Sequence, residues 1–202
     1  MKKLLKNLIG LFLLIIVFGS CKKDDDKNSK PIIEEQNFAF IVGTKDSLDY
    51  YDYEPNLDFF ISHNGDGYYI NSDSVDLNSD NKLDFAIVRE GFADGFLSET
   101  TNYVEYKLYN LNDFEIVCYD INNADTLNFG DTLSNDLNWI KNDTYRLIYS
   151  DPYYVNGNWR IWGKEKYLGF RKIETDTIMG WIRIEFPSEG SAIRIKDCAI
   201  QK

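Results

Sequence analysis

Histidine is nearly absent: His63 is the only one among 202 residues. A chain with one imidazole cannot build a zinc site from several histidines, and it offers no choice of Ser-His or Cys-His pairs for nucleophilic catalysis. Cysteine is almost as scarce, with Cys21, Cys118 and Cys198 alone. Positive charge is short too, since 22 Lys and Arg stand against 33 Asp and Glu for a formal net charge of −11. Removing residues 1–20, which carry three lysines and no acid, takes it to −14. So acidic a balance argues against nucleic acid as a partner and against electrostatic adhesion to an anionic membrane, both of which reward clustered Lys and Arg. Long apolar runs are missing as well. The run from Leu8 to Phe18 is too short for a hydrocarbon core of about 30 Å, which takes about 20 residues of helix. No segment of helical length carries an apolar stripe with caps at both ends, and no repeat recurs at solenoid or propeller spacing.

What the amino terminus does have is three lysines, that apolar run and then Gly19-Ser20-Cys21. This is the layout of a secretory signal with a small-residue cleavage site. With a cysteine directly after the site, it resembles the lipobox of bacterial lipoproteins. The resemblance implies that residues 1–20 are removed and that Cys21 receives a diacylglycerol and a further acyl chain such as palmitate. More than one chain is what firm attachment needs, at about 0.8 kcal/mol per buried methylene. Residues 21–35, with Lys22-Lys23-Asp24-Asp25-Asp26 and no aromatic, cannot bury enough apolar surface to order themselves and read as a disordered tether. The acidic cluster behind the cysteine resembles the export signal of Bacteroidetes-type lipoproteins. That implies an outer-membrane, cell-surface location, with the periplasmic face as the alternative.

Residues 36–202 have the size of one domain. Strand signals dominate at 37–42, 57–62, 68–71, 74–77, 83–89, 103–108, 114–119, 145–149, 159–162, 166–173, 180–186 and 191–200. Only 131–139 reads as a short helix. Asn64-Gly65 between Phe59-Phe60-Ile61 and Tyr68-Tyr69-Ile70 supplies the positive φ that a tight hairpin needs, and Asn156-Gly157-Asn158 makes a similar link. The expectation is an all-β fold, a single β-sandwich or jelly roll of mostly antiparallel strands. Cys118 and Cys198 each sit in an apolar, strand-like context, which leaves a disulfide and two buried thiols equally open.

One motif carries chemistry. Asp76, Asn78, Asp80 and Asp84 place side-chain oxygens at positions 1, 3, 5 and 9 of a loop, and Lys82 at position 7 would offer its backbone carbonyl while its ammonium points to water. Calcium takes six to eight oxygens, and such alternation lets a curled loop aim every second side chain inward. Asn81 stands where an EF-hand has glycine, and Asn tolerates the left-handed conformation. An EF-hand also needs flanking helices and a glutamate at position 12, which here is Ile87. The loop resembles instead the strand-loop-strand calcium turn of integrin-type and FG-GAP repeats, whose pattern Asp-x-Asn-x-Asp-x-x-x-Asp it matches. The competing reading is a hairpin rich in Asp and Asn for local hydrogen bonding alone.

At the carboxyl terminus, Tyr167-Leu168-Gly169-Phe170-Arg171, Gly180-Trp181-Ile182 and the strand around Ala192 to Ala199 resemble a "YxGFR…GWI" pattern of secreted bacterial β-proteins of unknown function, over about 60 residues. Cys198 departs from the tyrosine expected there. The pattern implies secretion and fold, and it brings no catalytic residue. Physically these residues suit a three-stranded antiparallel meander with Trp181 as a core anchor beside glycines. The chain therefore reads as a non-catalytic binding or structural lipoprotein with a structural calcium ion. The alternative is a carbohydrate-binding lipoprotein of an outer-membrane glycan-uptake system, with Tyr153, Tyr154 and Trp159 as candidate ligand-binding aromatics. A protein partner stays open beside a glycan. A hydrolase with paired acids ranks last, because 33 acidic residues make any spacing uninformative.

Overall fold

The chain alternates short extended runs with turns, and in the computed structural model these become thirteen strands. The structure describes residues 39–60, 67–93, 103–151, 154–159, 163–187 and 192–201. The signal segment, Cys21, the tether, the Asn64-Gly65 turn, Tyr153 and the 160–162 part of an expected strand lie outside the described residues. In chain order the strands are β1 (Ala39–Ile41), β2 (Leu48–Phe60), β3 (Gly67–Val75), β4 (Phe85–Ala93), β5 (Tyr103–Asn110), β6 (Glu115–Val117) and β7 (Thr132–Ser134). They continue with β8 (Trp139–Lys141), β9 (Thr144–Ser150), β10 (Val155–Asn156), β11 (Glu165–Ile173), β12 (Thr177–Glu185) and β13 (Ala192–Gln201).

Two large antiparallel sheets face each other. One has the order β10-β9-β5-β4-β3, the other β2-β13-β12-β11-β6-β8, and β1 pairs with β7 in a separate ribbon. The fold is all-β among the described residues and has the form of a β-sandwich. Its main core lies between the sheets, where Ile87, Tyr106, Leu108 and Tyr145 meet Phe170, Ile182, Ile184 and Ile195. Side chains alternate along a strand, so the six-stranded sheet has a second face. There Val117, Tyr167, Met179, Trp181 and Ala199 pack with Val42, Leu48 and Leu133 into a smaller core. Burial on both faces explains why β12 reads as the near-continuous apolar run Ile178-Met179-Gly180-Trp181-Ile182 rather than as strict alternation.

The expected meander is β11-β12-β13. Trp181 is a core side chain, edge-on to Tyr167 with ring centroids 5.3 Å apart. A Cβ at Gly180 would collide with the Phe170 ring, its cross-strand neighbour, so this glycine makes room for Phe170 rather than for Trp181.

The expected helix at 131–139 is corrected to β7, a turn and the start of β8. Leu133 is fully buried over Gly169, and the Trp139 indole N–H donates to Ser134 O at 2.9 Å, so the apolar residues of this stretch serve tertiary contacts rather than a helical stripe. Residues 48–56, unassigned from sequence, form the larger, first part of β2. Adjacent Tyr50 and Tyr51 hide the strand because they belong to different cores, Tyr50 to the smaller and Tyr51 to the larger.

Candidate functional site

The 76–84 turn links β3 to β4 and is closed at its base by Asp84 N donating to Val75 O at 2.9 Å. Its side-chain oxygens fold back on its own amides. Asp76 accepts from Asp80 N at 3.2 Å and from Asn81 N at 2.7 Å, Asn78 accepts from the same Asp80 N at 3.1 Å, and Asp80 accepts from Lys82 N at 2.8 Å. A shared donor brings Asp76 Oδ1 and Asn78 Oδ1 to one point of the loop. Ser79 and Asn81 take positive φ, 58° and 67°, which produces the curl. The Lys82 side chain is 74% exposed, but its ammonium lies 3.9 Å from Asp80 Oδ2 rather than pointing only to water, so it already offsets part of the charge of that carboxylate.

Leu77 fastens this turn to the sandwich. Its side chain is fully buried in the main core. Its N–H donates to Asp84 Oδ2 at 2.9 Å, and its carbonyl accepts from the Tyr53 hydroxyl at 2.8 Å and from the Cys198 thiol at 3.4 Å. The second Asp84 oxygen accepts from Asn112 Nδ2 at 2.9 Å, and Lys172 Nζ donates to Asn112 Oδ1 at 3.0 Å. Sequence reasoning misses Tyr53, Asn112 and Lys172, because nothing local ties them to the loop. Leu77 carries a signal that was available: it is a large apolar side chain inside an otherwise polar turn.

Asp84 is almost wholly buried. Burial pushes its carboxyl above the usual range, the hydrogen bonds from Asn112 and Leu77 pull it down, and the charges of Asp80 and Asp76 push it up again. A cation at the turn would stabilise the ionised form that burial and these neighbours disfavour. Each oxygen that accepts one N–H keeps further acceptor capacity, so the turn's hydrogen bonds leave room for coordination. Among the described residues no three Asp, Glu, His or Cys side chains stand together as a ready ligand cluster. The carboxylates of Asp76, Asp80 and Asp84 thus do not converge as their spacing in the sequence leads one to expect: Asp84 turns one oxygen to Leu77 N and the other to Asn112, and an ion at the turn would draw first on Asp76, Asp80, Asn78 and the Lys82 carbonyl. A cavity of about 340 Å³ opens beside the turn, with Asn78, Asp80, Asp84, Asn112, Lys172 and Glu174 in its walls.

The other expected sites divide. Cys118 and Cys198 are free and buried, which corrects the disulfide alternative. Cys118 directly follows β6 and Cys198 lies in β13, with β12 and β11 between them. Three strand spacings make at least about 14 Å, beyond the Cα separation of about 4.4 to 6.8 Å that a bridge requires. Burial pushes both thiols up to about 12, so neither is a nucleophile at neutral pH. Trp159, expected as a ligand-binding aromatic, is instead a core residue, 1% exposed with its ring 6.0 Å from that of Phe186. The turn after β10 directs it inward. Trp159→Ala should lower stability by about 3 kcal/mol and leave any glycan retention of the folded protein unchanged, as chemical denaturation and gel retardation would read. Tyr154 is 57% exposed.

Compared with protein-family models, with curated proteins and with solved structures, the chain matches none.

Proposed function

We propose that this chain is a lipid-anchored lipoprotein of the cell envelope, held by Cys21 at the outer membrane and exposed at the cell surface. Its β-sandwich acts as a non-catalytic binding or structural module whose 76–84 turn is stiffened by calcium. The observation that carries the metal is the spacing of side-chain oxygens at Asp76, Asn78, Asp80 and Asp84; the bonds from Asp76, Asn78 and Asp80 to the turn's own amides are equally those of a hairpin that binds nothing. The anchor rests on the layout of residues 1–21.

Calorimetric titration of the purified protein with calcium tests the metal. Heat of binding is expected at one site, lost in Asp80→Ala and unchanged in Lys82→Ala, because Lys82 serves through its carbonyl. The absence of heat in the wild-type protein would remove the ion from this account. For the anchor, radiolabelled palmitate fed to expressing cells should enter the wild-type chain and not Cys21→Ser. The second reading, a glycan-binding lipoprotein of an uptake system, keeps Tyr154 as an exposed aromatic and loses Trp159.

A further inference from the structure

The face of the five-stranded sheet that turns away from the core carries a row of aromatic side chains that the strand register alone brings together. Tyr106 and Leu108 of β5 and Val155 of β10 pack into the core, so Tyr103 and Tyr154 face outward by alternation. Tyr68 stands opposite Phe92, and Phe92 opposite Tyr103. Val104 is opposite Ser150 and Ser150 opposite Val155, so the next level outward joins Tyr103, Asp151 and Tyr154. Asp151 N donates to Tyr154 O at 2.8 Å, which fixes that last pair. Five neighbouring chain segments thus present Tyr68, Phe92, Tyr103, Asp151 and Tyr154 abreast, across about 19 Å of sheet. Tyr68 is 59% and Tyr154 57% exposed, at the two ends of the row. Tyr149, one level inward, stacks on Tyr103 with centroids 6.1 Å apart.

Behind the rings lies a belt of charges that neutralise one another. Glu105 is paired with Arg146 and, at 3.2 Å, with Lys107, while Lys107 also holds Glu90. The Tyr68 hydroxyl donates to Glu90 at 3.2 Å. Two acids and two bases balance within this belt, and Asp151 in the row adds one negative charge. An anionic ligand finds no complementary field here, and among the described residues the paired bases leave no free cation to hold one. A neutral ligand with apolar C–H faces and many hydroxyls fits the row, its faces against the rings and its hydroxyls against Asp151 and the Arg146 side chain, the most exposed member of the belt.

We infer that the aromatic row of Tyr68, Phe92, Tyr103 and Tyr154 is a binding platform for a neutral glycan chain running across the strands. This inference rests on the binding-module reading above and is independent of the calcium turn, which lies at the opposite end of β3 and β4. The test is electrophoresis of the purified protein through gels containing neutral soluble polysaccharides: a β-glucan, an α-mannan, a xylan and a galactomannan. Retardation is expected in at least one gel, with affinity falling about tenfold or more in Tyr68→Ala, Tyr103→Ala and Tyr154→Ala. Tyr154→Phe should keep the retardation. Tyr68 and Tyr154 are exposed, so their alanine variants should melt like the wild type, and this separates lost binding from lost folding. No retardation in any gel would overturn the inference, and so would retardation that the three alanine variants leave intact. Sedimentation showing a dimer that these variants dissolve would overturn it too, by assigning the row to a second copy of the chain. Calorimetry with calcium reports the turn separately, so the two readings fail separately.

Discussion

Leu77→Ala should destabilise the protein by about 3 to 4 kcal/mol, the range for emptying a large aliphatic site in a packed core. For a domain of this size that lowers the melting temperature by about 6 to 16 °C. The expectation follows from the burial of Leu77 among the main-core residues and from its backbone, which receives Tyr53 and Cys198 and donates to Asp84. The methyl groups removed are those that hold the 76–84 turn against the sandwich. Calcium affinity should therefore fall in Leu77→Ala although no oxygen of the turn is changed. Leu83, at a neighbouring place in the same loop but 53% exposed, is the control, and Leu83→Ala should stay within about 0.5 kcal/mol of the wild type. Equal losses for the two leucines in urea denaturation would contradict the anchoring role.

Asp197→Ala should cost about 2 to 3 kcal/mol, because it takes a buried charged acceptor from the Tyr50 hydroxyl and from Arg183, which is 29% exposed and keeps Glu165 at 3.3 Å. The Asp197 side chain is 3% exposed. It receives Arg183 through Nε at 2.9 Å and through Nη2, and the Tyr50 hydroxyl at 2.6 Å. Burial and the Asp197 contact push the Tyr50 hydroxyl well above its ordinary pKa, whereas the same carboxylate raises that of Arg183 against the opposing effect of burial. The cluster sits where β13 is irregular between Ile195 and Asp197, opposite the point where the pairing of β2 jumps from Asp52 to Leu57. It therefore secures an edge strand at its weakest register. Tyr50→Phe removes a single hydrogen bond and should cost only about 1 kcal/mol. A thermal melt of both variants checks the order, and an Asp197→Ala protein as stable as Tyr50→Phe would refute it.

How much of this was legible in the sequence depends on whether the signal is local. The β11-β12-β13 meander could be read because each strand carries a local apolar signal bounded by turns: Tyr167 to Phe170, Ile178 to Ile182, and in β13 the alternation of Ile193 and Ile195 followed by Cys198, Ala199 and Ile200. The irregularity of β13 between Ile195 and Asp197 depends on its partner β2 and could not be read from the strand itself. The first part of β2 could not be read, because Tyr50 and Tyr51 serve opposite cores and so erase the alternation that marks a half-buried strand. Residues 131–139 misled for a related reason, since Leu133 and Trp139 answer to the second core. The oxygen spacing of the 76–84 turn is local and was visible. Its supports, Tyr53, Asn112 and Cys198, come from 24, 28 and 121 residues away in sequence. Trp159 reads as the first residue of a strand at 159–162, but it lies in the turn after β10, where no periodic pattern shows which way a side chain points. The row from Tyr68 to Tyr154 depends wholly on register across five segments, and no window along the chain contains it.

The central claim is that a cation stiffens the turn at Asp76 to Asp84. It is tested most directly by the melting temperature of the purified protein in excess calcium and in excess chelator, for the wild type and for Asp80→Ala. At calcium about a hundredfold above its dissociation constant, binding to the folded state alone adds about 2.7 kcal/mol, or about 5 to 11 °C in a domain of this size. The account predicts that shift in the wild type and none in Asp80→Ala. Identical melting of the wild type in calcium and in chelator would contradict it.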